Sequence, residues 1–295
     1  MYDRVLFPTD GSDGTAFALG HALDVAAAYD ATVHVLGVAD TTRLGLLELV
    51  DEERVAAHLE RECVLLVEEA AERARARGVE VVTDVECGSP ANEIVDYAAA
   101  SAADLVVMAT HGRRGLDRLL LGSTTESVLR HAETPVLTVR PSEETRVAFP
   151  YRSVLVATDG SDAAGHALDH GVSLAAETGA ALHLVTAVDP GALGGVGRVD
   201  VAVEAMEDAA ERVLETACTT AEAAGVDPVD ASVLSGPSVH ESIEAYVADE
   251  GVSLLVLGTH GRTGLDRFVL GSVTERLVRA APVPVLAVRG PPDTA

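Results

Sequence analysis

Two short loops, each present twice in the chain, hold the residue types that could handle a phosphorylated ligand. The first is Thr9-Asp10-Gly11-Ser12, which recurs as Thr158-Asp159-Gly160-Ser161. The second begins at Thr110-His111-Gly112-Arg113 and recurs as Thr259-His260-Gly261-Arg262. In its second copy this loop carries a spaced set: Gly258, then Gly261 after two residues, then Gly271-Ser272 after nine more, ahead of a helix-forming stretch. Glycine lets backbone approach a ligand closely, and a helix N-terminus offers unpaired N–H groups and a positive dipole end to a phosphate. Ser272 adds a hydroxyl donor and Arg262 a cation. Glycines that merely make turns would leave the same letters, so the position of the set in the fold decides its meaning. Asp10 and Asp159 suit another part of such a ligand. Each carboxylate can accept from ribose hydroxyls or an adenine amine, or else cap the turn that an Asp-Gly-Ser sequence makes.

Composition removes several chemistries. The 21 basic residues are all arginine. A Walker A loop, a protein-kinase site and a Schiff-base site each need a lysine, so none of them operates here. Cys63, Cys87 and Cys218 are far apart and form no C-x-x-C, which reads as three small packed residues rather than zinc ligands or a disulfide framework. The 47 acids give a net charge of −26, with 24 of them in 1–140 and 21 in 151–295. Such a field repels nucleic acid and anionic membrane, and it is screened only at high salt, where the Debye length falls to about 3 Å. An acidic, lysine-free, aromatic-poor surface looks like that of an extreme halophile's protein, which is the habitat expected. With neither a leader peptide nor an 18-residue apolar run visible, a cytoplasmic location is expected.

The elements that must position the loops come from the repeat itself. The paired loops, Leu121-Gly122-Ser123 with Leu270-Gly271-Ser272, and Pro135-Val136-Leu137 with Pro284-Val285-Leu286 all keep one offset of 149. The chain is therefore a duplication, with domains at 1–140 and 151–290, a polar linker at 141–150 and a tail at 291–295. Within the first copy, β-branched runs alternate with Ala/Glu-rich amphipathic stretches. The expected order is strand Arg4–Thr9, helix Gly14–Tyr29, strand Thr32–Ala39, helix Asp51–Arg77, strand Val79–Glu86, helix Pro90–Ala100, strand Asp104–Thr110, a long loop, helix Ser123–Ala132 and strand Pro135–Arg140. Runs such as Leu105-Val106-Val107-Met108 are apolar throughout, as parallel strands covered on both faces are. The fold class is α/β, with two doubly wound five-stranded parallel sheets. Ligands of such sheets bind at the carboxyl ends of the strands, where the strand order reverses, and both loops fall at such ends.

The segment Phe7-Pro8-Thr9-Asp10-Gly11-Ser12, the loop Gly258-x2-Gly261-x9-Gly271-Ser272 and the closing Pro-Val-Leu-x-Val strand resemble the universal stress protein family in its ATP-binding branch, over nearly all of both halves. The resemblance implies a Rossmann-like sheet of order 3-2-1-4-5 and ATP as the ligand, with Mg where the triphosphate needs it. It implies that Asp159 holds ribose or adenine, that backbone around Ala187 meets adenine, and that Gly258, Gly261, Arg262, Gly271, Ser272 and Val273 line ribose and phosphates. The corresponding first-half residues are Asp10, Val38, Gly112, Arg113, Gly122, Ser123 and Thr124. Ala109 stands where the pattern has its first glycine. If that position needs positive φ or touches ribose, the first site is the weaker, so two unequal sites are expected, with the second the tighter. Apolar Val136–Val139 and Val285–Val288 suggest an internal pseudo-dimer through the last strands, or a homo-oligomer that covers the same edges.

Other features carry less. His166 and His170, four apart on one helix, have a metal-compatible spacing, but a packed or solvated helix face explains them and no metal ligand is assigned. His111 and His260 could touch phosphate or bond their own loop. Gly191–Arg198 reads as a loop that could cover a ligand. No catalytic residue is assigned. Two functional classes remain: a stress-response or signalling module that binds an adenine nucleotide without consuming it quickly, and an adenylate-handling enzyme, a slow ATPase or ATP-dependent transferase, on the same scaffold.

Overall fold

The computed structural model describes residues 1–42, 51–112, 121–193, 199–261 and 269–290. They divide into two units, Met1–Glu143 and Glu144–Ala295. The division falls inside the 141–150 segment. Part of that segment belongs to the second unit: Arg146 donates its N–H to Pro282 O at 2.7 Å and its guanidinium to Val247 O at 3.2 Å.

Unit 1 runs β1 (Arg4–Thr9), α1 (Asp13–Tyr29), β2 (Thr32–Asp40), α2 (Glu52–Ala76), β3 (Val81–Gly88), α3 (Pro90–Ala100), β4 (Leu105–Ala109), α4 (Ser123–His131) and β5 (Val136–Val139). Strand β2 pairs with both β3 and β1, β1 pairs also with β4, and β4 with β5, every pair parallel. The order turns back between β1 and β4, and the crevice there is where a ligand fits. Unit 2 repeats the plan with β6 (Ser153–Ala157), α5 (Asp162–Thr178), β7 (Ala181–Val188), a 3-10 turn at Pro190–Leu193, α6 (Val199–Ala223), β8 (Asp230–Ser235), α7 (Val239–Asp249), β9 (Leu254–Gly258), α8 (Ser272–Ala280) and β10 (Val285–Val288). Its parallel pairs are β7 with β8, β6 with β7, β6 with β9 and β9 with β10.

Burial explains the strand composition. All of β4, β5, β9 and β10 is buried, whereas β3 and β8 are half-exposed and carry polar residues. The helices start on chemistry visible in the sequence: Ser12 and Ser161 accept from the N–H of Thr15 and Ala164, satisfying donors that the first turns of α1 and α5 leave open. The two helices end differently. Asp30 closes α1 in the left-handed region at φ 54°, and Gly179 closes α5 at φ 69°.

The element bounds depart from the sequence reading mainly at β3, which starts at Val81 rather than Val79. The N–H groups of Arg77, Gly78 and Val79 are used to close the end of α2 on Ala74 and Arg75 carbonyls, so these residues cannot yet join the ladder. Among the described residues no helix is long and apolar enough to cross a membrane.

Candidate functional site

In unit 2 the chain leaves β6 through Thr158-Asp159-Gly160-Ser161. Gly160 takes φ 75°, a conformation that only glycine adopts freely, and this turns the backbone into α5. The turn is fastened by side chains: Gly160 N–H donates to Thr158 Oγ1 at 3.2 Å, and Ser161 N–H to Asp159 Oδ1 at 2.9 Å. Asp159 thus caps the turn with one oxygen and presents the other to the loop after β9. A Cβ on Gly261 would lie 2.6 Å from Asp159 Oδ2, so the loop can lie against the carboxylate only as glycine. The capping reading of Asp159 is the one this geometry shows.

The loop after β9 returns to the sheet at Gly271, whose N–H donates to Thr259 O at 2.8 Å. Gly271 is the N-cap of α8 and supplies no capping side chain, which leaves the first turn of that helix with donors for a ligand. Thr274 ties the turn down by donating from Oγ1 to Gly258 O at 2.8 Å. Between these pieces lies a crevice of about 250 Å³. Asp159, Ala187, Gly258, Gly261, Gly271, Ser272 and Val273 all line it. Arg262 lies outside the described residues. The other wall is apolar, with Val185 from β7, Val239 and Ile243 from α7, and Leu277 from α8. A site polar at one end and apolar at the other suits a flat base joined to a phosphate chain.

Sequence reasoning missed that apolar wall. It also missed Thr274, although Thr125 and Thr274 keep the repeat offset and so carried a signal.

The wall helix α7 is itself anchored. Tyr246, one turn beyond Ile243, donates its hydroxyl to Asp230 Oδ2 at 2.5 Å and meets His183 Nδ1 at 2.8 Å. The tyrosine bond holds the Asp230 carboxyl below the usual carboxylate range, against the opposing effect of its own burial. Burial, then the Asp230 bond, pushes the Tyr246 hydroxyl up.

Unit 1 builds the same frame. Gly11 takes φ 71°, Ser12 N–H donates to Asp10 Oδ1 at 3.0 Å, and a Cβ on Gly112 would collide with Asp10 Oδ2. Gly122 N–H donates to Thr110 O at 2.8 Å, and Thr125 Oγ1 to Ala109 O at 2.9 Å. Ser123 and Thr124 open α4, and Val38 is half-buried near the end of β2. Arg113 lies outside the described residues. One local difference is Thr15, whose hydroxyl lies 3.1 Å from Asp10 Oδ1 where unit 2 has Ala164.

The first-glycine position does not behave as the sequence suggested. Neither Gly258 nor Ala109 has positive φ, so Ala109 carries no backbone strain and that ground for ranking the two sites falls.

The histidines sort as follows. His111 and His260 turn Nδ1 to the hydroxyl of the preceding threonine, at 3.2 and 3.1 Å. His166 packs its ring against Gly290, where a Cβ would approach Cδ2 to 2.7 Å. His170 is held mostly out of water, which lowers its pKa to about 4, as burial does for its repeat partner His21. Residues 194–198 of the Gly191–Arg198 loop lie outside the described residues.

Comparison with known proteins decides the family. A profile of the universal stress protein family matches residues 1–140 and again 150–289. The chain belongs to the universal stress protein family. It carries two of the family's domains in tandem. A universal stress protein of Methanocaldococcus jannaschii is 38% identical over 146 residues, 49% of this chain and 86% of that protein. One of Mycolicibacterium smegmatis is 32% identical over 219 residues, 72% of this chain and 70% of its own length. The crystal structure of a universal stress protein from Archaeoglobus fulgidus covers 98% of this chain and 99% of its own with a TM-score of 0.73 at 23% identity, a likeness of fold.

Proposed function

We propose that this protein is a tandem nucleotide-binding module of the ATP-binding kind, serving a stress response or signalling role rather than rapid turnover. The observation that carries the reading is the unit 2 crevice. A carboxylate, a glycine loop that a Cβ would close, and a helix N-terminus without a capping side chain converge beside an apolar wall sized for a base. These residues fit ATP. Val185, Ala187, Val239 and Ile243 would flank the adenine, Asp159 would accept from ribose or the adenine amine, and the backbone at Gly261 and Gly271–Val273 would meet the phosphates, with Mg supplying countercharge to the triphosphate. The acidic surface belongs to the same proposal, as that of a cytoplasmic protein working at high salt.

The direct test is to purify the chain in high salt and identify what it carries by absorbance and mass spectrometry. A co-purified adenine nucleotide supports the reading, and a chain that neither carries nor takes up any nucleotide rejects it. Steady-state ATP turnover separates module from enzyme, since a rate in the ordinary enzyme range of ~1–10³ s⁻¹ would favour the second class.

A further inference from the structure

The seam between the first two helices of a unit is closed in unit 1 and open in unit 2. In unit 1 side chains of α2 close it. Leu66 rests on Gly11, the Arg73 guanidinium donates to Ala16 O at 3.1 Å, and Arg77 donates to Gly20 O at 2.9 Å and to the Asp24 carboxylate at 2.8 Å. Unit 1 thus shows what this seam accommodates, an aliphatic stem that ends in a guanidinium.

Helices α2 and α6 have the same length and finish alike, with Gly78 and Gly225 both at positive φ and their N–H groups on Arg75 O and Glu222 O. Counted back from those glycines, Val213 stands for Leu66, Thr220 for Arg73 and Ala224 for Arg77. Each is shorter, and a cleft of about 700 Å³ opens between α5 and α6. Gly165, the repeat partner of Ala16, lines it, and a Cβ there would meet nothing within 4 Å. Asp169, the repeat partner of Gly20, adds a carboxylate at that end. At the other end are Asp162, in the first turn of α5, and Arg212, beside the residue that stands for Leu66. Among the described residues the side chains of Asp162, Asp169 and Arg212 have no hydrogen-bond or ion-pair partner.

We infer that this cleft is a binding site for a free basic amino acid, with arginine the best match. The charges of the lining are the complement of that ligand. Arg212 would take the α-carboxylate and Asp162 the α-ammonium, while Asp169 and the Gly165 carbonyl would take the guanidinium, as the Ala16 carbonyl takes that of Arg73. Asp162 and Asp169 lie two turns apart, roughly 10 Å along the helix axis, a span that an extended arginine covers with hydrogen-bond reach at each end. The small residues Gly165 and Ala217 leave room for the stem. The cleft and the strand-end crevice share only Thr158 in their linings, so this inference stands apart from the nucleotide reading.

Equilibrium dialysis of the full chain against L-arginine at high salt tests it. Citrulline, which keeps the backbone groups on a neutral side chain, and agmatine, which lacks the carboxylate, are the comparisons. One arginine per chain is expected, with citrulline and agmatine each bound about 10-fold more weakly for the loss of one charge-assisted contact. Asp169→Asn should weaken arginine binding to a similar degree and leave ATP uptake as it is. Thr220→Arg restores the side chain that unit 1 carries there and should abolish arginine uptake by filling the cleft. No arginine uptake by the wild type overturns the inference, as does citrulline bound as tightly as arginine. Agmatine bound as tightly as arginine overturns the amino-acid assignment. Arginine uptake unchanged in Asp169→Asn or in a folded Thr220→Arg places the ligand elsewhere and overturns the site. Should Thr220→Arg not fold, Asp169→Asn decides alone.

Discussion

The two units agree around the crevice and differ behind it. At the strand ends the hydrogen bonds repeat to within about 0.1 Å: Gly122 and Gly271 to the carbonyls of Thr110 and Thr259, and Thr125 and Thr274 to those of residues 109 and 258. Across the sheet, where the first two helices of each unit meet, little is shared. In unit 1 the gap between α1 and α2 is filled and bridged: Leu66 rests on Gly11, Arg73 donates to Ala16 O at 3.1 Å, and Arg77 donates to both Gly20 O and Asp24. In unit 2 the space between α5 and α6 is an open cleft of about 700 Å³, with small residues such as Gly165 and Ala217 and one arginine, Arg212, along its walls. Loss of a bridge on that side leaves the sheet intact, because the strands hold their own register. Loss of a bond at the strand ends would move the loop.

Experiments can separate what the two units share from what they do not. The largest effect expected is global. Acidic residues are spread over both units, 24 in 1–140 and 21 in 151–295, so melting in ~2 M against ~0.1 M KCl should raise the midpoint strongly in both halves as the mutual repulsion is screened. A shift confined to one transition would show that the units differ in how they carry their charge.

Next comes a property both units share. His21 and His170 have folded pKa values of about 4, below the ordinary 6.5. As pH falls through 6.5 the unfolded chain takes up protons first, so the stability these groups contribute is complete above 6.5 and drains away down to about 4. The expected loss is about 2 kcal/mol for each histidine by pH 5. Denaturant melts at pH 7 and pH 5, at fixed high salt, should show it, and His21→Gln with His170→Gln should flatten the slope. An unchanged slope in the double variant would place the acid sensitivity elsewhere.

A smaller effect separates the units. In unit 2 Tyr246 bonds both His183 and Asp230, whereas in unit 1 Tyr97 meets His34 at 3.1 Å and Val82 occupies the register position that Asp230 holds. Tyr246→Phe should therefore cost about 1 kcal/mol, the partly exposed position discounting a bond to a charged acceptor, and Tyr97→Phe less. Because the Asp230 carboxyl is held below its ordinary range, its share is present above that range and is lost as pH falls through the depressed value. Equal costs at pH 7 would remove the distinction.

The smallest effect is at the helix ends. Asp30 occupies the left-handed position that Gly179 fills in unit 2, so Asp30→Gly should stabilise unit 1 by about 0.5–1 kcal/mol, read as a rise in its melting midpoint. A fall would show that the carboxylate contributes a bond worth more than the strain.

How far the sequence carried the molecule depends on the range of the interaction. Strand β1 and helix α3 have the limits read from sequence, because alternation, capping residues and a first-turn proline are signals carried within a few residues. The glycine spacing and the two aspartates were legible because the duplication printed them twice. The close packing of Gly258 against Ala163 and Ala164 was not, since Ala163 lies 95 residues away and acts through space, and the φ of Gly258 is ordinary. The wall made by Val239 and Ile243 was hidden for a similar reason. An apolar helix face looks the same whether it covers a sheet or a ligand.

The Arg146 contacts have a mechanical consequence. Its guanidinium bonds the carbonyl of Val247 in the last turn of α7, the helix whose first turns supply Val239 and Ile243 to the crevice. Its backbone N–H is fixed to Pro282, ahead of β10. A pull on the chain arriving at Glu144 is therefore met by a pin only two residues on, before it reaches strand β6, and the load is taken first by the far end of the pocket's own wall.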